Sequence, residues 1–174
     1  MRANQKGFSL TELMVVITIL AIVCAITAPN LVAGLPKYRI KKAATDLAAK
    51  MRRARSVAVK TKRPVSVIFD LGNERYNIDG VEFPEGKSLT QQYGSGVRFG
   101  FGNAGGNCAD DLGPESGAVS FTNTRLSFNS VGIINNNNTG FIYLENNQGK
   151  AYAVGVRSPT GTILVRHWTG AAWE

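Results

Sequence analysis

One carboxylate stands where a carboxylate is hard to keep. Glu12 sits at the mouth of an uncharged stretch from Leu13 to Pro36, whose first sixteen residues, LMVVITILAIVCAITA, are almost wholly apolar. An unpaired acid at membrane depth costs about 2.5–3.5 kcal/mol even on a lenient insertion scale, so Glu12 implies a partner or a function. The second concentration of chemistry is cationic. Eleven Lys or Arg and a single acid, Asp46, fall between Lys37 and Arg63, which is the electrostatic footprint of contact with phosphate, lipid headgroups or acidic protein surfaces. Other reactive residues are scattered. His167 is the only histidine and has no Ser or Cys partner motif, so it reads as a strand surface residue. Two cysteines, Cys24 in the apolar run and Cys108 in a loop, cannot make a disulfide framework or a four-ligand zinc site. Outside the cytoplasm a Cys108 thiol would be open to oxidation or to pairing between chains. Asp110, Asp111 and Glu115 fit no EF-hand spacing and read as a solvated acidic loop. Gly100 to Gly105 fits GxGxxG, but no helix-forming run follows to present its N-terminus to phosphate. Neither catalysis, a metal nor a cofactor is expected.

The elements that hold these groups follow from an uneven composition. The chain has 174 residues and a formal charge of +8, which suits one globular domain with an accessory segment. Only Gly7 and Gly34 among its 19 glycines lie in the first 63 residues. Glycine lowers helix propensity by about 1 kcal/mol relative to alanine, so the first part is expected to be helical and the rest to be strands and turns. A helix over 8–28 is about 31 Å long, which matches a bilayer core of about 30 Å. Pro29, Gly34 and Pro36 are expected to kink or locally melt the helix beyond that span. Past them, Ile40, Ala44, Leu47, Met51, Ala54 and Ala58 recur at helical spacing as a buried stripe, with Lys41, Lys42, Lys50, Arg52, Arg53 and Lys60 mostly off it as candidate contacts to an anionic partner. Strands are predicted at 64–69, 75–79, 96–101, 118–123, 140–146, 150–158 and 161–168, the last three as an antiparallel meander. The loops 102–117 and 135–138 read as exposed tips. A long helix followed by an antiparallel β domain is α+β, divided as 1–7, 8–36, 37–63 and 64–174.

A cleaved secretory signal is one account of the N-terminus, with Met1 to Lys6 as its basic region and a cut near Ala28. A lipoprotein version would use Cys24, where Val23 is bulkier than such a site expects. Glu12 argues for a different account. KGFSLTELMVVITILAIVCAITAP resembles the N-terminal motif of type IV prepilins and type II secretion pseudopilins. That resemblance implies cleavage between Gly7 and Phe8 by prepilin peptidase and N-methylation of Phe8. It also implies assembly into a filament in which Glu12 faces the Phe8 amine of a neighbour. Glycine before the scissile bond suits such a cut, because it lets a protease approach the backbone closely.

The rest of the chain carries a second likeness. LAAKMRRARSVAVKTKRPVSVIF, then Phe128 and Gly132, and the closing GTILVRHW resemble minor pseudopilins of the GspH/FimT type. The resemblance implies a non-enzymatic subunit with its β domain in the periplasm, anchored in the inner membrane by one span and working with other pilins or pseudopilins and prepilin peptidase. Membrane lipid is a further expected contact. DNA-binding members carry Gly-Arg-x-Arg near the C-terminus, whereas Gly161 is followed by Thr162, Ile163 and Leu164. The sequence therefore favours a role in secretion or general pilus assembly over DNA uptake, with DNA kept as an alternative partner of the basic helix.

Overall fold

The computed structural model describes residues 8–104, 108, 117–135 and 138–174, with backbone alone at 28–30. One helix, α1, occupies Leu10–Thr61. It opens where the Leu13 amide donates to the Ser9 carbonyl at 3.1 Å. It ends where Lys62 turns left-handed at φ 54°, a turn-off that releases the chain into Pro64, which has no N–H to prolong a helix. Lys60 in the last turn complements the negative end of the helix dipole. Pro29, Gly34 and Pro36 all lie inside α1, so the expected local melting is not found. Each proline removes one backbone bond, and the residues between them still propagate the helix. The chain nevertheless divides after Leu35 into two units, Met1–Leu35 and Pro36–Glu174.

In the second unit two four-stranded antiparallel sheets share a core with α1. The first has the order β3-β2-β1-β5, built from β1 (Val65–Asp70), β2 (Arg75–Ile78), β3 (Val81–Phe83) and β5 (Arg125–Phe128). The second runs β4-β6-β7-β8, from β4 (Arg98–Phe99), β6 (Gly140–Glu145), β7 (Ala151–Val156) and β8 (Ile163–His167). β1 alternates, with Val65, Val67 and Phe69 buried, as a strand with one covered face must. β7 is buried at every position and β6 at all but Glu145, because this sheet is covered on both faces. Ile142, Leu144, Tyr152, Val154 and Val156 join the stripe Ile40, Ala44, Leu47, Met51, Ala54 and Ala58 in the main core. Phe141, Tyr143 and Ala153 point the other way, under Phe101, Leu164 and Trp173. Phe69 of β1 stacks on Phe121 at 5.8 Å and meets Phe99 of β4 edge-on at 6.3 Å, which joins the sheets.

The predicted meander 140–168 is present as β6, β7 and β8 in register. The predicted strand 118–123 is not. Val119 makes one isolated bridge to Ile142, and Thr122–Thr124 is a 3-10 turn with Asn123 and Thr124 at positive φ. The strand forms just after it, at β5, where Leu126 and Phe128 pair opposite Val67 and Val65. Two further elements were not read from sequence, β3 and a short helix α2 (Leu89–Tyr93). α2 carries a capping box: Ser88 Oγ accepts from the Gln91 amide at 3.3 Å and Gln91 Oε1 from the Ser88 amide at 3.0 Å. The Ser-x-x-Gln spacing was the available signal.

Candidate assembly helix and basic face

In the first unit the helix has no buried face. Leu10–Thr27 is long and apolar enough to cross a membrane, and none of it is covered by protein. Exposure is 58% at Leu13, 57% at Met14, 58% at Val15 and 56% at Ile17, all around the helix, where a soluble helix would hide one side. Two of its hydroxyls are satisfied internally: Thr18 Oγ1 donates to the Met14 carbonyl at 2.7 Å and Thr27 Oγ1 to the Val23 carbonyl at 3.0 Å. Such back-bonding removes the penalty of a hydroxyl in hydrocarbon. Glu12 is exposed in the first turn, and Phe8 is exposed just before the helix. Gly7, the other half of the expected cleavage site, lies outside the described residues.

The basic helix sorts its charges. Lys50 lies 4.1 Å above the Phe83 ring. Arg52 Nη2 points to the Ile163 carbonyl at 3.5 Å, and Arg39 Nη1 donates to Ser95 Oγ at 2.9 Å. Arg63, beyond α1, pairs with Asp79 at 2.6 Å. Lys41, Lys42, Arg53 and Lys60 are exposed and have no partner among the described residues. At about 100° per residue, Lys42, Arg53 and Lys60 fall on one line opposite the buried stripe. Asp46, the one acid between Lys37 and Arg63, accepts from Tyr93 Oη at 3.0 Å. Burial first, and the Asp46 charge second, push the Tyr93 hydroxyl well above its usual range.

Arg55 is a structural side chain that the charge pattern did not single out. Its Nε donates to the Gly132 carbonyl and its Nη2 to the Thr160 carbonyl, both at 2.9 Å, so it clasps two turns of the β region to α1. Gly132 (φ 81°) is required there: a Cβ would stand 2.9 Å from Val59 Cγ2 and 3.2 Å from Arg55 Nε. Gly161 (φ 75°) repeats this, with its Cβ position 2.6 Å from the Gly132 carbonyl. The minor motifs resolve more simply. The Gly102 amide donates to Glu145 Oε2 at 2.6 Å, so this glycine loop is already filled by the protein's own carboxylate. Cys108, expected in an exposed loop, is buried with its amide on Tyr143 Oη at 2.9 Å, which withdraws it from easy oxidation. His167 is exposed at the end of β8, as read. Asp110, Asp111 and Glu115 lie outside the described residues, among which no cluster of His, Cys, Asp and Glu could hold a metal.

Residues 2–28 match the family model of the prokaryotic N-terminal methylation motif. Residues 43–161, most of the chain, match that of the type II transport protein GspH. The chain belongs to the GspH family. Comparisons with curated proteins and with solved structures return no match. The methylation-motif match covers the uncovered apolar helix, and the GspH match runs from the buried stripe through the clasp to Gly161. Together they make this GspH-family chain a pilin-like subunit of type II secretion or type IV pili. Such families are structural rather than enzymatic, and membership implies assembly with other pilins or pseudopilins and processing by prepilin peptidase.

Proposed function

We propose that the chain is a minor pseudopilin, held in the inner membrane by the first half of α1 with the unit Pro36–Glu174 in the periplasm. Prepilin peptidase cuts between Gly7 and Phe8 and the new Phe8 amine is methylated. The subunit then leaves the bilayer for a filament in which apolar helices pack side by side. The observation that carries this reading is the apolar helix with no protein cover, opening on an exposed Glu12. Extraction from lipid is compensated by helix packing, and Glu12 meets the methylated ammonium of Phe8 on a neighbour. A buried pair of this kind adds little net stability, but losing one partner costs about 3–5 kcal/mol, so it fixes axial register. The test is mass spectrometry of the mature N-terminus in cells with and without prepilin peptidase. Methyl-Phe8 is expected with the enzyme and an uncut chain without it. A start near Asn30 in both strains would overturn the reading in favour of a secretory signal.

A further inference from the structure

One cavity of the second unit gathers two lysines and aromatic rings. It measures about 290 Å³ and is lined by Lys37 of α1, Lys150 and Tyr152 from the start of β7, and His167 and Trp168 from the end of β8. Asn146 holds it in shape. This buried side chain, 5% exposed, donates from Nδ2 to the Pro36 carbonyl at 3.3 Å and accepts at Oδ1 from the Lys150 amide at 3.0 Å. One amide therefore positions both lysine-bearing segments. The Trp168 amide donates to the Ala151 carbonyl at 3.0 Å, and the Tyr152 and His167 rings are 5.9 Å apart. Neither lysine side chain has an ion-pair or hydrogen-bond partner among the described residues. Glu174 is the acid on the segment whose backbone pairs with His167. Both lysines are exposed, and two cations flanking one cavity are complementary to an anion.

The place of Lys37 in the chain says which anion. Between Glu12 and Lys37 lie 24 uncharged residues, Leu13 to Pro36, or about 36 Å of helix against an apolar core of about 30 Å. A span seated with both charges outside the core brings Lys37 to the level of the headgroup phosphates, the zone that Trp and Tyr favour and into which lysine stems extend. We propose that this cavity binds the phosphate of an anionic phospholipid headgroup, seating the soluble unit on the membrane before filament entry. The proposal rests on the membrane-anchor reading above.

Trp168 lines the cavity and the chain's other tryptophan, Trp173, lies 5.5 Å from its ring, so Trp168 reports on the cavity directly and Trp173 through it. Full-length protein in nanodiscs is compared with phosphatidylcholine or phosphatidylglycerol brominated near the headgroup. Quenching deeper with phosphatidylglycerol is expected. That excess should be lost in the Lys37→Gln/Lys150→Gln double variant, with unchanged circular dichroism, and kept in Lys87→Gln. Equal quenching by the two lipids, in protein that stays with the discs, overturns the inference and leaves the anchor intact. Protein that does not co-elute with discs overturns the anchor reading and the inference with it. A lysine-dependent fluorescence change produced by inorganic phosphate in detergent, without anionic lipid, assigns the cavity to a soluble anion and overturns the lipid source.

Discussion

Replacing Arg55 by alanine separates a structural arginine from a basic face. The substitution removes both arms of the clasp, Nε to Gly132 and Nη2 to Thr160, each 2.9 Å long. A hydrogen bond from a charged donor contributes about 1.5–3 kcal/mol net, and the Thr160 arm is exposed enough to be worth less, so the loss is about 2–4 kcal/mol. For a unit of this size that corresponds to roughly 6–12 °C in Tm. Arg55→Lys should recover less than half of it, because one ammonium cannot reproduce a planar fork that reaches two carbonyls. Lys42→Ala removes the same charge from the opposite face of α1 and should stay within about 0.5 kcal/mol. Thermal unfolding of the full chain in detergent, followed by tryptophan fluorescence and circular dichroism, reads all three. If Arg55→Ala unfolds with the parent, or Lys42→Ala falls as far as Arg55→Ala, the assignment of a clasp is wrong.

The remaining expectations concern assembly, packing and pH. Glu12→Ala should be inserted and cleaved after Gly7 but fail to enter filaments; normal incorporation in a shearing assay would sink the register role. Met51→Ala, at a side chain with no exposure, should cost about 2–5 kcal/mol in chemical denaturation, whereas Thr45→Ala on the outer face should be near neutral. Asp70 accepts from the Asn73 side chain and amide at 2.7 and 3.0 Å, which holds its carboxyl below the ordinary 3.8. Its contribution is present above that value and fades as pH falls through the lowered one; an NMR titration should show Asn73→Ala moving the midpoint up. Tyr93 is raised, so its contribution holds below about pH 10 and is lost as pH rises further. Asp46→Asn should bring its ultraviolet titration back toward 10, and an unmoved midpoint would contradict the Asp46 contact.

What the sequence made legible was whatever repeats along one element. The apolar run announces its length, and the stripe from Ile40 to Ala58 announces its buried face because helical spacing and burial are the same fact. Strand β5 was misplaced because its identity is non-local: AVSFTN has the better strand composition, but RLSF has the partners, Leu126 and Phe128 against Val67 and Val65. The burial of Cys108 under the second sheet is of the same kind. β3 is three residues long and pairs Val81 with Ile78 and Phe83 with Tyr76 across a two-residue Asp79-Gly80 turn with both residues at positive φ; that Asp-Gly pair was its local signal.

The basic run between Lys37 and Arg63 is therefore not one site. Arg39, Arg52, Arg55 and Arg63 each reach a group of their own fold, a serine hydroxyl, two sets of carbonyls and a carboxylate. Lys41, Lys42 and Lys60, with Arg53, do not. The division follows the chemistry of the heads. A guanidinium carries five donors in a rigid, weakly hydrated plane suited to bridging fixed acceptors, while an ammonium is a strongly hydrated point charge that gains little by leaving water. Helix angle reinforces it, since Arg55 lies about 60° from the centre of the buried stripe and Lys42 about 160°. A charge-removal scan that treats the run as uniform would thus confuse two effects, because loss of binding in the inward arginines would report a loosened fold. An anionic partner of this helix, whether an acidic subunit surface or DNA, has to be sought with Lys42, Arg53 and Lys60 changed together and stability held constant.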